Sequence, residues 1–199
     1  MLKSSLIFLT SFFLWISLTE EGFAGTHFSI QGSANYNNLG LNNEDSRSAC
    51  ASIAQDLGKY FRIGVTYRQG TTILKGYKLN PDNQAYGFYE QRINSVANSL
   101  DFILILYYGE TFVPYVQLGA VKKDYLVKNI GPVEADNTTQ IYSLPIVPSA
   151  GIGLGIKMST NFSLKLSYTV SPGIKQTQPD QPPVSVLDSY SAVGVSYDI

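Results

Sequence analysis

The chain has 199 residues, of which 15% are charged and 13% aromatic, and its formal net charge is −1. Soluble domains carry roughly 25% charged residues, so this composition is poor in the charge that a solvated surface needs. A mean hydropathy of +0.01 is in turn too low for a helical membrane protein. The near-neutral charge also provides no basic field that would attract nucleic acid.

The first residues have the features of a targeting segment. Lys3 precedes an apolar run from Leu6 to Leu18, and the small residues Gly22, Ala24 and Gly25 lie around the expected cut. A basic start, a short apolar core and small residues at the cut are typical of a secretory signal peptide. The apolar run is shorter than the roughly 20 residues that a spanning helix needs. We therefore expect residues 1–24 to be a cleaved signal peptide and residues 25–199 to form one domain.

Eight later segments alternate between apolar residues and polar or small ones, which predicts strands with two different faces. In the clearest segment Phe162, Leu164 and Leu166 alternate with Ser163 and Lys165. The connections are long and short in turn, as in antiparallel barrels that have outer loops at one end and tight turns at the other. The eight segments are about 27–36, 47–55, 60–69, 96–108, 113–123, 143–157, 162–171 and 188–199.

The last segment indicates how the sheet ends. Val193, Val195, Tyr197 and Ile199 place an apolar residue at every second position up to the end of the sequence. A free edge of this kind invites aggregation, and pairing it with the first strand removes the edge. The spacing of Gly194, Tyr197 and Ile199 also resembles the C-terminal assembly signal of bacterial outer-membrane β-barrels. We expect an eight-stranded, up-and-down, closed transmembrane β-barrel.

The residue types on the two faces decide which one points outward. A soluble carrier barrel would expose a polar face rich in Lys and Glu, whereas the polar face here is mainly Ser, Thr, Gln, Gly and Tyr. Such residues suit a narrow lumen. Aromatic residues lie near both ends of the apolar face, where water meets lipid; Phe61 and Tyr108 mark the turn side, and Tyr67 the loop side. The apolar face is therefore expected to contact lipid.

The inward face should then carry charges that fill the bore. Four of them are Arg62, Asp101, Lys165 and Asp188, and Asp198 is a candidate partner for Arg62 and Lys165. Buried charges are costly unless they are paired, so we expect a network that plugs the lumen. Further inward positions are Gln31, Tyr60, Tyr115 and Tyr190.

Few residues could carry out chemistry. His27 is the single histidine, with Ser29 two positions away and Asp198 expected across the closing seam. Because His27 lies at the periplasmic end of the first strand, beside the cleavage point, a structural role is favoured over catalysis. Cys50 is the single cysteine, which excludes an internal disulfide and makes a cysteine-ligated metal site implausible. We expect no enzymatic activity, no cofactor and no metal.

As a whole, Gly25 to Ile199 resembles the small eight-stranded outer-membrane barrels that include the OmpA membrane domain and OmpX. The resemblance implies the outer membrane of a Gram-negative bacterium, with its lipid, its lipopolysaccharide and the barrel-assembly machinery as partners. It fixes no activity and names no partner for the loops. The expected role is structural, or surface interaction through extracellular loops, without general porin activity. The alternatives are a lipid-A-modifying enzyme and, more remotely, a secreted lipocalin-like carrier.

Overall fold

The computed structural model describes residues 25–39, 42–79, 86–131, 137–175 and 184–199. The predicted signal peptide, residues 1–24, lies outside these ranges. The described residues form one antiparallel sheet, and they include no helix long and apolar enough to cross a membrane. The strands are β1 Thr26–Leu39, β2 Asn42–Asp56, β3 Phe61–Leu79, β4 Tyr86–Ile105, β5 Phe112–Ile130, β6 Thr138–Ser143, β7 Val147–Lys157, β8 Phe162–Lys175 and β9 Val184–Asp198.

The sheet closes on itself between β1 and β9. The ladder runs from His27 opposite Asp198 to Gly32 opposite Val193. Below it, the Thr26 amide donates to the Ile199 carbonyl at 3.1 Å, and the Ile199 amide donates to the Thr26 carbonyl at 2.9 Å. The predicted closed, up-and-down barrel is confirmed, and its seam is formed by the two ends of the domain.

The predicted sixth strand, residues 143–157, is wrong as a continuous element. β6 and β7 both pair with β5, with Ser143 opposite Asp124 and Val147 opposite Val121. Three steps along β5 are thus matched by four steps on the other chain segment, which leaves one extra residue. Pro145 lies in this bulge and has no amide to donate. Nine strands consequently occupy eight positions in the wall.

The strands also extend further toward the loops than their alternation predicts. The β3–β4 ladder is continuous from Phe61 opposite Leu104 to Leu79 opposite Tyr86. The two strands contain 19 and 20 residues, whereas the predicted segments 60–69 and 96–108 are shorter and end nearer the turns. Ladder hydrogen bonds use backbone groups alone, so a hairpin can continue into water after the apolar pattern has ended.

Side-chain exposure confirms the predicted orientation of the two faces. Leu118 and Ile152 are 63% and 61% exposed, whereas Asp101 and Lys123 are 1% and 3% exposed. The exposed apolar residues form a belt around the barrel, and Arg47 and Lys122 are outward charges at its loop-side limit. On β5 the belt extends from Phe112 to about residue 120, which is roughly 20–25 Å along the axis for the usual strand rise and tilt.

Candidate functional site

At the turn end of the lumen a cluster of polar side chains surrounds His27, and we call it the base cluster (His27, Asp56, Arg62, Tyr108 and Asp198). Nδ1 of His27 is hydrogen-bonded to Oδ1 of Asp198 at 2.6 Å. Nε2 lies 3.0 Å from Oδ1 of Asp56, an ion-pair distance without hydrogen-bond alignment. Arg62 donates to the same Asp56 oxygen at 2.7 Å and to the Tyr108 hydroxyl at 3.2 Å. With a carboxylate at each ring nitrogen, the cluster is complementary to a doubly protonated imidazole.

The partners within the base cluster differ from those expected. Asp198 was predicted as a partner of Arg62, but its hydrogen bond is with His27, and Arg62 pairs with Asp56. The register explains both contacts, because His27 is directly opposite Asp198 across the seam and Asp56 is directly opposite Arg62 on β2 and β3. Tyr108, predicted on the lipid-facing side, instead turns inward to Arg62.

The base cluster does not have the geometry of a serine hydrolase. The Ser29 hydroxyl is 2.5 Å from the hydroxyl of Ser52, and both ring nitrogens of His27 face carboxylates. A nucleophilic serine needs the base within hydrogen-bond reach. In the part of the chain that the structure describes, no group of three or more His, Cys, Asp or Glu side chains is arranged to hold a metal ion.

Asp101 lies in the middle of the lumen and is almost fully buried. Its Oδ2 accepts hydrogen bonds from the Thr66 hydroxyl at 2.8 Å and the Ser99 hydroxyl at 2.9 Å. Gly119 is directly opposite on β5, and a Cβ there would come within 2.5 Å of the Asp101 carboxylate. The Asp101 carboxylate therefore occupies space that is free because Gly119 has no side chain.

Lys165 is inward as predicted, although its contacts are with neutral groups. Its Nζ lies 5.5 Å from the centre of the Tyr115 ring, and 3.5 Å from the Ser29 hydroxyl. The ring fits because Gly153, on β7, has no side chain to collide with it. A cation near an aromatic face is stabilised by the ring quadrupole, so Tyr115 serves here as a partial counter-charge.

A second cation–aromatic contact lies nearby. The Arg68 guanidinium is 3.7 Å from the centre of the Tyr190 ring, and the Tyr190 hydroxyl is 3.8 Å from the sulfur of Cys50, which is buried. Tyr115 and Tyr190 are thus lumen residues, as predicted. Tyr60 is not one of them: it lies in the turn before β3 and is 43% exposed.

Toward the loops, Asp188 pairs with a lysine that the sequence interpretation did not assign to the lumen. Nζ of Lys123 donates to Oδ2 of Asp188 at 2.7 Å, and the lysine side chain is only 4% exposed. Beyond this pair, Gln91 donates to Asn129 at 2.9 Å. These residues lie at further inward positions of β4 and β5. Extending the period of two along both strands toward the loops would have assigned them to the lumen.

The cavity between these groups is very small. It has a volume of about 10 Å³ and is lined by residues that include Asp101, Arg68, Gln117, Ser149 and Ser171. That space is on the order of one water molecule. The described side chains around Asp101 therefore leave almost no free space in the middle of the lumen. All four predicted lumen charges, namely Arg62, Asp101, Lys165 and Asp188, are at inward positions of their strands.

Solved structures with the same fold are small outer-membrane barrels. The N-terminal β-barrel domain of Pseudomonas aeruginosa OprF is 16% identical, with 90% of this chain and 100% of that one covered and a TM-score of 0.54. Ail, the attachment invasion locus protein of Yersinia pestis, is 13% identical over 89% of this chain and 100% of its own, with a TM-score of 0.52. Neisserial surface protein A is 17% identical over 89% and 97%, with a TM-score of 0.50.

No protein-family model matches the chain, and no curated protein matches it. At these identities the likeness is one of fold. The fold is that of the small outer-membrane β-barrels, antiparallel and closed on itself through its first and last strands.

Proposed function

We propose that the protein is a non-enzymatic barrel of the Gram-negative outer membrane that acts through its loop-side surface and does not form a general pore. The observation that carries the proposal is the filled lumen. Several of its charges have polar or aromatic partners, as in the 2.7 Å contact between Lys123 and Asp188. An unpaired charge in a narrow bore would be costly, so the network should hold the bore shut.

Membrane placement is supported by the belt of exposed apolar side chains. Hydrocarbon tolerates these side chains, and the backbone groups of a closed barrel satisfy one another. A lipocalin-like carrier would need the opposite arrangement, with an apolar lumen and a polar exterior. The buried residues Gln31, Asp101 and Lys123 argue against a carrier.

A surface role is supported by the hairpin of β3 and β4, which continues well past the belt. Near its tip Tyr77 and Phe88 are 58% and 49% exposed, and their rings meet edge to face at 6.5 Å. Further down, Glu90 contacts Arg92 at 3.1 Å and Lys75 at 3.8 Å. Exposed aromatic and arginine side chains are the types that dominate protein recognition surfaces.

Lipopolysaccharide is the proposed lipid partner of the outward face of β3 to β5. Lys75, Arg92, Lys122 and Lys128 are exposed on the outward face of β3 to β5, beyond the loop-side limit of the belt. Phosphate groups of a lipid headgroup region would lie at this height, and Lys and Arg bind phosphate through charge-assisted hydrogen bonds. The barrel-assembly machinery is the partner proposed for Gly194, Tyr197 and Ile199.

Conductance in planar bilayers tests the closed bore. We expect no stable single-channel currents from the folded protein. A double variant, Arg68→Ala with Tyr115→Ala, removes two side chains from the lumen and should begin to conduct. Val116→Ala, on the outward face of β5 next to Tyr115, should not conduct. Currents from the unmodified protein comparable with those of a general porin would overturn the proposal.

Thiol labelling on intact cells tests the orientation. Cys50 is buried and should contribute little background. A membrane-impermeant maleimide should label Tyr77→Cys in intact cells but Met158→Cys, in the turn after β7, only after lysis. Met158 is 72% exposed, so a lack of labelling there would not reflect burial. Labelling of Met158→Cys but not Tyr77→Cys in intact cells would place the hairpins in the periplasm and contradict a surface role.

A further inference from the structure

The base cluster connects five neighbouring parts of the barrel at its turn end. His27 lies on β1 and Asp198 on β9, directly opposite each other across the seam. Asp56 is the last residue of β2, Arg62 lies on β3, and Tyr108 lies in the turn between β4 and β5. Both contacts of the imidazole with carboxylates therefore cross from one strand to the next. The first and last strands are held together here by side chains as well as by their ladder.

The cluster lies at the turn-side limit of the apolar belt. Phe28 and Tyr197 are paired across the seam and exposed on the outward face, where aromatic residues mark the interface with water. His27 and Asp198 are one residue further toward the turns. The imidazole side chain is only 11% exposed, whereas the Asp198 side chain is 33% exposed. The cluster is therefore partly buried but can exchange protons with water at the turn end.

The two carboxylates at the ring distinguish a charged imidazole from a neutral one. Nδ1 of His27 lies 2.6 Å from Oδ1 of Asp198, and Nε2 lies 3.0 Å from Oδ1 of Asp56. An imidazolium carries a proton on each nitrogen, so each nitrogen presents positive charge to its carboxylate. A neutral imidazole has one N–H, and the lone pair of its other nitrogen then faces a carboxylate oxygen. Loss of the proton thus turns one of the two contacts from attractive to repulsive.

Two cations near the ring act against its charge but are separated from it. Arg62 reaches the ring through Asp56, because both side chains contact the same carboxylate oxygen. Lys165 approaches from β8, and its Nζ lies 3.5 Å from the Ser29 hydroxyl. Asp198, by contrast, contacts the ring directly, and within the described ranges its only ion pair is with His27. A neutral ring would leave Asp198 without a cation, so the direct contacts favour the charged form.

We infer that His27 is a pH-dependent latch on the seam, which holds β1 to β9 and β2 when its imidazole is charged and weakens when it is neutral. The folded barrel offers the imidazolium two carboxylates, whereas the unfolded chain offers it water. The folded state should therefore keep the proton to higher pH than the unfolded chain. The added stability is fully present below about pH 6.5, where a free imidazole titrates, and is lost as the folded ring titrates at higher pH. The latch requires no lipid partner and no function of the loops.

Urea unfolding in uncharged vesicles at pH 6 and pH 9 tests the latch. The unfolding equilibrium constant of the unmodified protein should be about tenfold larger at pH 9, which corresponds to a difference of one pKa unit between the two states. His27→Gln has no titrating ring and should lose this difference. Cys50 and the charged groups at the chain ends are the same in both proteins, so the comparison isolates the imidazole. As a control, Asp188→Asn breaks the ion pair with Lys123 and should lower stability at both pH values while keeping the difference.

Nitrogen-15 NMR of the imidazole tests the same inference without any variant. His27 is the single histidine, so untagged protein gives imidazole signals from this ring alone. At pH 7.5 both ring nitrogens should be protonated in the folded protein in micelles, whereas the ring should be mainly neutral in urea-unfolded protein at the same pH. Asp198→Asn should move the titration of the folded ring to lower pH. A neutral ring in the folded barrel at pH 7.5, or a pH dependence of unfolding that survives His27→Gln, would overturn the latch.

Discussion

The β1–β9 ladder at the seam and the β7–β8 ladder differ in how far they extend. At the seam every position can donate a backbone hydrogen bond, and the pairing continues to Ile199. The β7–β8 ladder ends on the loop side at Ala150 opposite Val170, and two residues further the same register would place Pro148 opposite Pro172. Outward residues are apolar along both ladders, as Val193 and Ile152 show. The extent of a ladder is thus decided by amide donors, whereas the apolar character of the wall decides only which face meets lipid.

Two further features of the seam favour its closure. Gly194 allows close approach, because a Cβ there would overlap the Ile30 carbonyl and the Gln31 backbone. At the turn end, the hydrogen bond between His27 and Asp198 joins the first strand to the last. The predictions below disrupt or strengthen each closure in turn, beginning with the largest expected effect.

Removing Val195 to Ile199 should abolish barrel assembly while leaving export intact. The deletion removes four of the six β9 residues in the ladder with β1 and the two hydrogen bonds between Thr26 and Ile199. Membrane fractionation and heat-modifiable migration measure the result, and Ile199→Leu, which keeps the length and the apolar end, should assemble normally. A truncated protein that still forms a heat-modifiable barrel in the outer membrane would contradict the role of the seam.

Leu166→Arg should destabilise the closed wall by about 2–4 kcal/mol, the cost of a charge near the midplane of the hydrocarbon. Leu166 pairs with Leu154 on one side and Val193 on the other, within the belt. The free energy of unfolding in vesicles measures the loss. Ser167→Arg points into the lumen and should act through crowding, so cysteines placed at the two positions should differ in labelling by a lipid-dissolved probe. Equal labelling would contradict the assignment of the faces.

Gly194→Ala should lower the free energy of unfolding by about 1–3 kcal/mol, as expected when a methyl group is forced into a packed contact. Gly32→Ala is the matched control, because Gly32 also lies at the seam but a Cβ there would be 3.6 Å from the nearest backbone oxygen, an ordinary contact. Urea titrations of both variants under the same conditions provide the comparison. Equal destabilisation of the two variants would contradict the idea that β1 and β9 approach too closely at Gly194 to accommodate a side chain.

Pro148→Val combined with Pro172→Val should extend the β7–β8 ladder and stabilise the barrel by about 0.5–1.5 kcal/mol for each hydrogen bond gained. Slow hydrogen exchange at the two amides introduced at positions 148 and 172 would locate the gain, because residues at even positions of β7 bond to β8. Pro145→Val lies in the bulge, outside the register, and should introduce an amide without this protection. If the amides at positions 148 and 172 exchange as fast as the one at position 145, the prolines are not what ends the ladder.

Alternation in the sequence was sufficient to define the eight positions in the wall, their two faces and the closed topology, but not the ends of the strands. Segments such as Phe162 to Ser171 keep a strict period of two, and that period is a local property of an extended chain. It also placed Arg62, Asp101, Lys165 and Asp188 in the lumen. Where apolar residues no longer alternate, as on β3 beyond Gln69, the sequence resembles a loop although the ladder continues to Leu79.

Only the tertiary structure decided which lumen groups meet and where the β7–β8 ladder ends. Arg62 pairs with Asp56, and Lys123 with Asp188, because the register places them together. Register depends on the stagger of the whole barrel, which no single segment encodes. For the same reason Pro148 and Pro172, 24 positions apart in the sequence, explain the end of that ladder only once the register places them opposite each other.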